Sequence, residues 1–256
     1  MKDTIKKALK WTLCFLPFAI IGGYFTAKYA FATYDETMQQ MLLDQIGSVE
    51  MLAIITMVQT VMYAVVCTVV GYIFAEKTGL IKPLRYEKKT LGITIVVAII
   101  CGIVFSSDYW LFGTFIPEVA ESYKDGLLVR NLDNWIASIC YGGVIEELML
   151  RFFMMTMVVF VLWKLFCKKR SKDEIPTAIY VVANLICAVL FAAGHLPGTV
   201  AMFGELTALI LVRCFLFNGA FGFVFGELYR RFGIQYAFVG HMGTHIVSKL
   251  IWLLFI

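Results

Sequence analysis

Three ionisable residues, Glu146, Glu147 and Arg151, lie inside an otherwise apolar run from about Trp135 to Leu162. A charge near the middle of a membrane-spanning helix costs about 2.5 to 3.5 kcal/mol on insertion scales, so it normally faces the protein interior and marks a functional site. On an α-helix Glu147 and Arg151, four apart, share a face and neutralise each other. Glu146 sits about 100° round the helix and is left as the free carboxylate. The bland alternative is that all three form a polar knot tying helices together. The three histidines of the chain all fall in its second half: His195 at the end of one apolar run, His241 and His245 in the last one. Spaced by four, His241 and His245 project from one helical face. An imidazole or carboxylate out of reach of water needs a polar partner. The cheapest solution is that Glu146, His195, His241 and His245 find one another.

Such a cluster supports two chemistries. In the first, Glu146 and His195 hold a water and remove its proton while His241 and His245 donate hydrogen bonds to the oxyanion of a tetrahedral intermediate, hydrolysing a peptide without a metal or other cofactor. In the second, the same four residues ligate zinc, which lowers the pKa of its bound water to about 7. The HExxH string of zincins is absent, which weakens the zinc alternative. A serine or cysteine nucleophile is the poorer reading, because no GxSxG turn surrounds Ser138, Ser248 or Cys140.

The elements that must position these residues follow from composition. The chain has 256 residues, of which 61% are hydrophobic and 16% charged. Soluble domains average about half apolar and a quarter charged, so this is a multi-pass membrane protein, all-α, a single membrane-embedded domain over residues 1–256. Apolar runs predict about seven transmembrane helices, or eight: Trp11 to about Thr33, Met51–Ala75, about Thr90 to Gly113, the Glu146 run, Thr177–Ala193, Leu206–Tyr229, and Ile234 to the C-terminus. The first run, preceded by Lys2, Lys6, Lys7 and Lys10, is longer than the 7 to 15 residues of a signal-peptide core and reads as an uncleaved helix despite Ala30-Phe31-Ala32. The connection after it carries Asp35, Glu36, Asp44 and Glu50 without Lys or Arg. Basic connections at Lys77, Lys82, Arg85, Lys88 and Lys89, at Lys164 to Lys172, and at Arg230-Arg231 alternate with it. Positive connections stay inside, which puts the N-terminus in the cytoplasm and the protein in the cell membrane. Pro117, Glu118, Glu121, Asp125 and Asp133 lie in an outer connection with a short surface helix. No basic patch suits a nucleic acid, and nothing fixes an oligomeric state. All seven cysteines lie in or beside apolar runs and read as small core residues.

Glu146-Glu147-xxx-Arg151, Phe191-xxx-His195 and His241-xxx-His245, in that order on three helices, resemble the three motifs of the CAAX protease and bacteriocin-processing (CPBP, or Abi) family, which includes the type II CAAX prenyl endopeptidases. The resemblance spans about residues 134–250. It implies an intramembrane endopeptidase acting on a peptide or membrane-associated protein in the bilayer. Glu146 with His195 would activate water, and His241 with its motif partner would stabilise the oxyanion. Glu147 and Arg151 would be supporting. The last motif position is usually Asn and is His245 here; imidazole still donates a hydrogen bond, but it makes a metal site more credible than in a typical member. Two non-protease readings compete, a non-catalytic bacteriocin-immunity protein and a proton-coupled transporter. The protease reading predicts that the fourth, fifth and seventh helices surround a polar cavity into which Glu146, His195, His241 and His245 point. Counting along the chain sets His195 and His241 at different depths, so their convergence needs tilt or a kink.

Overall fold

A computed structural model of the chain describes residues 2–124, 126 and 128–256; Asp125 lies outside the described residues. The structure is 85% helical, without strands among the described residues. Among the described residues seven helices are long and apolar enough to cross a membrane: Lys2–Thr33, Val49–Thr78, Lys88–Leu111, Leu132–Phe166, Thr177–Phe203, Ala208–Phe232 and Ile234–Phe255. They correspond one for one to the apolar runs and are called the first to seventh spans below. The first begins nine residues before Trp11 and the sixth ends three after Tyr229. In both cases the helix continues through Lys and Arg residues whose long side chains can reach water from a helix end.

Among the described residues two short α-helices and one 3-10 turn, Lys172–Glu174, lie in the connections between spans. Pro117–Lys124 is the expected surface helix. Glu36–Ile46 was expected as loop; Asp35 caps it by accepting a hydrogen bond from the Met38 amide at 2.8 Å, and Gly47, at φ 96°, ends it. That cap signal lies in the very acidic residues whose charge drew attention to sidedness alone.

The fourth span is central. Ile145, Leu148, Phe152, Met155 and Val159 are all fully buried, whereas Ile95, Val96, Ile99, Ile100 and Ile103 on the third span face outward, as lipid contacts require. Small residues let backbones touch. A Cβ on Gly71 would meet the Phe152 carbonyl oxygen at 2.6 Å. The fourth span is also not a regular α-helix: Ser138–Glu146 and Leu148–Met155 run as π-helix, as does Phe215–Ala220 of the sixth. Such wide turns cluster at functional sites. Here they carry Glu146 and Arg151 and flank Glu147.

Beyond the site the third span breaks at Ser106 and Ser107, whose hydroxyls bond the carbonyls of Ile103 and Val104 at 2.7 and 2.6 Å and compete with the helix ladder. The break delivers Asp108, fully buried, to Arg213 of the sixth span in a bidentate pair at 2.7 and 2.6 Å. Tyr123 of the short helix donates to the same carboxylate at 2.6 Å. Removing one partner of a buried pair costs about 3 to 5 kcal/mol. Asp108→Asn is therefore expected to lower thermal stability in detergent sharply, while Lys164→Asn, an exposed change, does not; equal melting temperatures would contradict this account of the fastening.

Candidate active site

Glu146, His195, His241 and His245 line one partly open cavity of about 240 Å³. The expectation named the fourth, fifth and seventh spans as its walls. The structure adds the sixth through Phe217, Asn218, Phe221 and Phe225, the third through Phe105, and the first through Thr26 and Tyr29. The volume is below the roughly 300–1,000 Å³ of drug-sized pockets, so only a short stretch of an extended chain fits.

Glu146 is partly exposed to this cavity, and its Oε1 lies 4.0 Å from His195 Nε2. That is too long for a direct hydrogen bond and suits a single bridging oxygen. His195 Nδ1 faces the Phe191 carbonyl oxygen at 2.8 Å. A carbonyl only accepts, so Nδ1 carries the proton and the lone pair of a neutral ring lies on Nε2, toward Glu146. The fifth span supplies this because its helix ends at Gly194, where His195 caps it and Leu196-Pro197 start the next turn.

Glu147 has two partners where one was expected. Its Oε2 lies 3.2 Å from Arg151 Nε, an ion pair whose angle falls short of a hydrogen bond. Its Oε1 accepts from His241 Nδ1 at 2.9 Å. Glu147 and Arg151 are both fully buried. Arg151 also donates to the Gly222 carbonyl at 3.1 Å and stacks its guanidinium 4.6 Å from the centre of the Phe191 ring. One guanidinium thus fixes the carboxylate behind His241 and the phenyl ring one turn before His195.

His241 and His245 stack with centroids 4.9 Å apart and planes 25° from parallel, and Phe225 stacks on the far face of His241 at 4.6 Å. His195 and His241 both have Phe191 as a ring neighbour, its centroid 4.6 Å from that of His195 and 6.2 Å from that of His241. Gly142 keeps room for His245, since a Cβ there would stand 3.2 Å from Nε2.

For zinc the donor set is less apt than its composition. Among the described residues no three His, Cys, Asp or Glu side chains converge as a metal site. Nearly parallel imidazoles cannot both aim in-plane lone pairs at one nearby point. Engagement of Nδ1, leaving Nε2 as the working nitrogen of His195 and His241, serves a proton acceptor and a metal ligand alike.

The arrangement defines a class: a multi-pass helical membrane protein with glutamate and histidines collected in an intramembrane cavity. Residues 129–247, a little under half of the chain, match the family model described as Type II CAAX prenyl endopeptidase Rce1-like, which indicates an enzyme of the CAAX-protease type. This agrees with the resemblance carried by the three motifs. No curated protein and no solved structure matches the chain.

Residues missed in the sequence are Asp108, whose partner Arg213 lies 105 positions away, and the second partner of Glu147, 94 positions away. The fixed π segments were also unforeseen, because a 3.6-residue period was assumed. Glu147→Gln can still accept from His241 but leaves Arg151 buried without its counter-charge. A stability loss of about 3 to 5 kcal/mol is expected, together with reduced activity in whatever protein survives. Full activity and an unchanged unfolding midpoint for Glu147→Gln would contradict that role.

Proposed function

We propose that the protein is an intramembrane endopeptidase that hydrolyses a peptide bond in a membrane-associated protein or peptide by metal-free attack of water, its N-terminus and basic connections cytoplasmic. The observation that carries the reading is the 4.0 Å spacing of Glu146 Oε1 and His195 Nε2, two acceptors on the wall of one cavity. A water between them donates one hydrogen to each, which aims its oxygen lone pair outward at the scissile carbonyl carbon. Glu146 takes the proton as the C–O bond forms, and the negative charge moves to the carbonyl oxygen. As that intermediate collapses and the C–N bond breaks, the proton passes to the leaving amine.

The charge on the carbonyl oxygen falls to His241 and His245. With Nδ1 held by Glu147, His241 keeps Nε2 as the nitrogen left to meet the oxyanion, its ring oriented by the carboxylate as a buried Asp orients a catalytic His. His245 donates from either nitrogen as a neutral ring. Both act where water is scarce and donors are worth most. Incubating purified protein in detergent with a peptide library and reading new termini by mass spectrometry tests the reading; a preparation that binds peptides yet never cleaves one would sink it.

A further inference from the structure

Threonines in spanning helices normally satisfy themselves by donating to the carbonyl one turn back. Thr12, Thr60, Thr94, Thr156 and Thr244 each do so, to Ala8, Thr56, Thr90, Phe152 and Gly240 at 2.7 to 3.0 Å. Thr26 does not. Its Oγ1 is buried and has no partner, and Thr26 lines the cavity that holds Glu146 and the histidines. Tyr29, one turn further along the first span, lines the same cavity, and its phenol makes no hydrogen bond among the described residues. Thr68 is also unpartnered but lies away from this cavity. Both cavity hydroxyls belong to a helix outside residues 129–247.

The first span is held firmly where these residues project. A Cβ on Gly22 would meet the Tyr141 amide nitrogen at 2.8 Å, so the two backbones touch one turn before Thr26. Just beyond, Lys28 pairs with Asp133 at 3.9 Å. The hydroxyls are therefore fixed against the fourth span, beside the segment that carries Glu146. A peptide must be extended to be cut, and an extended chain exposes N–H and C=O groups that the hydrocarbon interior cannot satisfy. Glu146 and the histidines face the reacting atoms, which leaves the neighbouring amides needing partners of their own.

We propose that the Thr26 and Tyr29 hydroxyls bind the main chain of the substrate beside the scissile bond, making the first span part of the substrate site. The inference rests on the protease reading of the same cavity. It predicts that Thr26→Val and Tyr29→Phe each raise KM about 3- to 10-fold with kcat nearly unchanged, a size set by the loss of one neutral hydrogen bond. Thr26→Ser should restore the wild-type KM. A library peptide cleaved by the wild type is resynthesised with single backbone esters flanking the cut, each deleting one N–H. At one position the ester should weaken the wild type, while Thr26→Val or Tyr29→Phe gains little further loss. A purely structural role would instead lower the melting temperature and act equally on every ester. Binding of the whole peptide library to Glu146→Gln, with and without the first-span substitutions, separates the two claims. Cleavage with unchanged KM in both first-span variants overturns this inference and leaves the protease standing; peptide binding that both variants weaken, without any cleavage by wild type, overturns the protease and keeps the site. Neither cleavage nor binding removes both.

Discussion

Glu146→Gln is expected to leave the protein folded and to reduce peptide cleavage by roughly 100- to 10,000-fold, the range spanned by loss of a general base. The amide keeps the shape of the side chain, and Glu146 is partly exposed to the cavity without an ion-pair partner as close as that of Glu147, so little stability depends on its charge. What disappears is the acceptor strong enough to take a proton from water. The neighbouring carboxylate behaves in the opposite way, since Glu147 is fully buried between Arg151 and His241. Two adjacent glutamates should therefore separate cleanly in one experiment, Glu146→Gln losing turnover at an unchanged melting temperature and Glu147→Gln losing stability. Comparable losses of stability in both would contradict the division of labour.

His245 gives the second large effect. If it donates to the oxyanion, His245→Ala should lose roughly 100-fold or more in kcat, as removal of one such donor does. His245→Asn also donates from a side-chain N–H and should keep most activity, and chelators should be without effect. If zinc is bound, Asn is a poor ligand, and His245→Asn should lose metal and activity together while chelation inactivates the wild type. The stacking of His241 on His245, planes 25° apart, favours the first outcome. Stoichiometric zinc that leaves with activity in His245→Asn would establish the second.

The spans were legible because each is an uninterrupted apolar run, and length and hydropathy alone suffice to detect one. The gathering of Glu146, His195, His241 and His245 around one cavity was legible for a related reason: polar groups in apolar helices stand out, and burial leaves them few partners but each other. What stayed hidden depends on geometry that no local pattern encodes. Asp108 looks like any acidic residue at the end of a span, and only the break at Ser106 and Ser107 turns it inward toward Arg213. The link from Glu147 to His241 is invisible because Arg151, four residues on, already supplies a sufficient partner. Thr26 and Tyr29 escaped notice since hydroxyls in spanning helices ordinarily bond their own backbone. The wide turns of the fourth span carry no compositional signature, yet one of them ends on Glu146 and the next begins just after Glu147.

The central claim is that water, activated at Glu146 and His195, attacks the peptide bond directly. Cleavage in water enriched in oxygen-18, with hydroxylamine present, tests it most directly. The account predicts one heavy oxygen in each new carboxylate, no hydroxamate product, and neither signal above background for Glu146→Gln. A hydroxamate would reveal an acyl-enzyme made by a protein nucleophile, and undiminished cleavage by Glu146→Gln would remove the base; either result contradicts the mechanism.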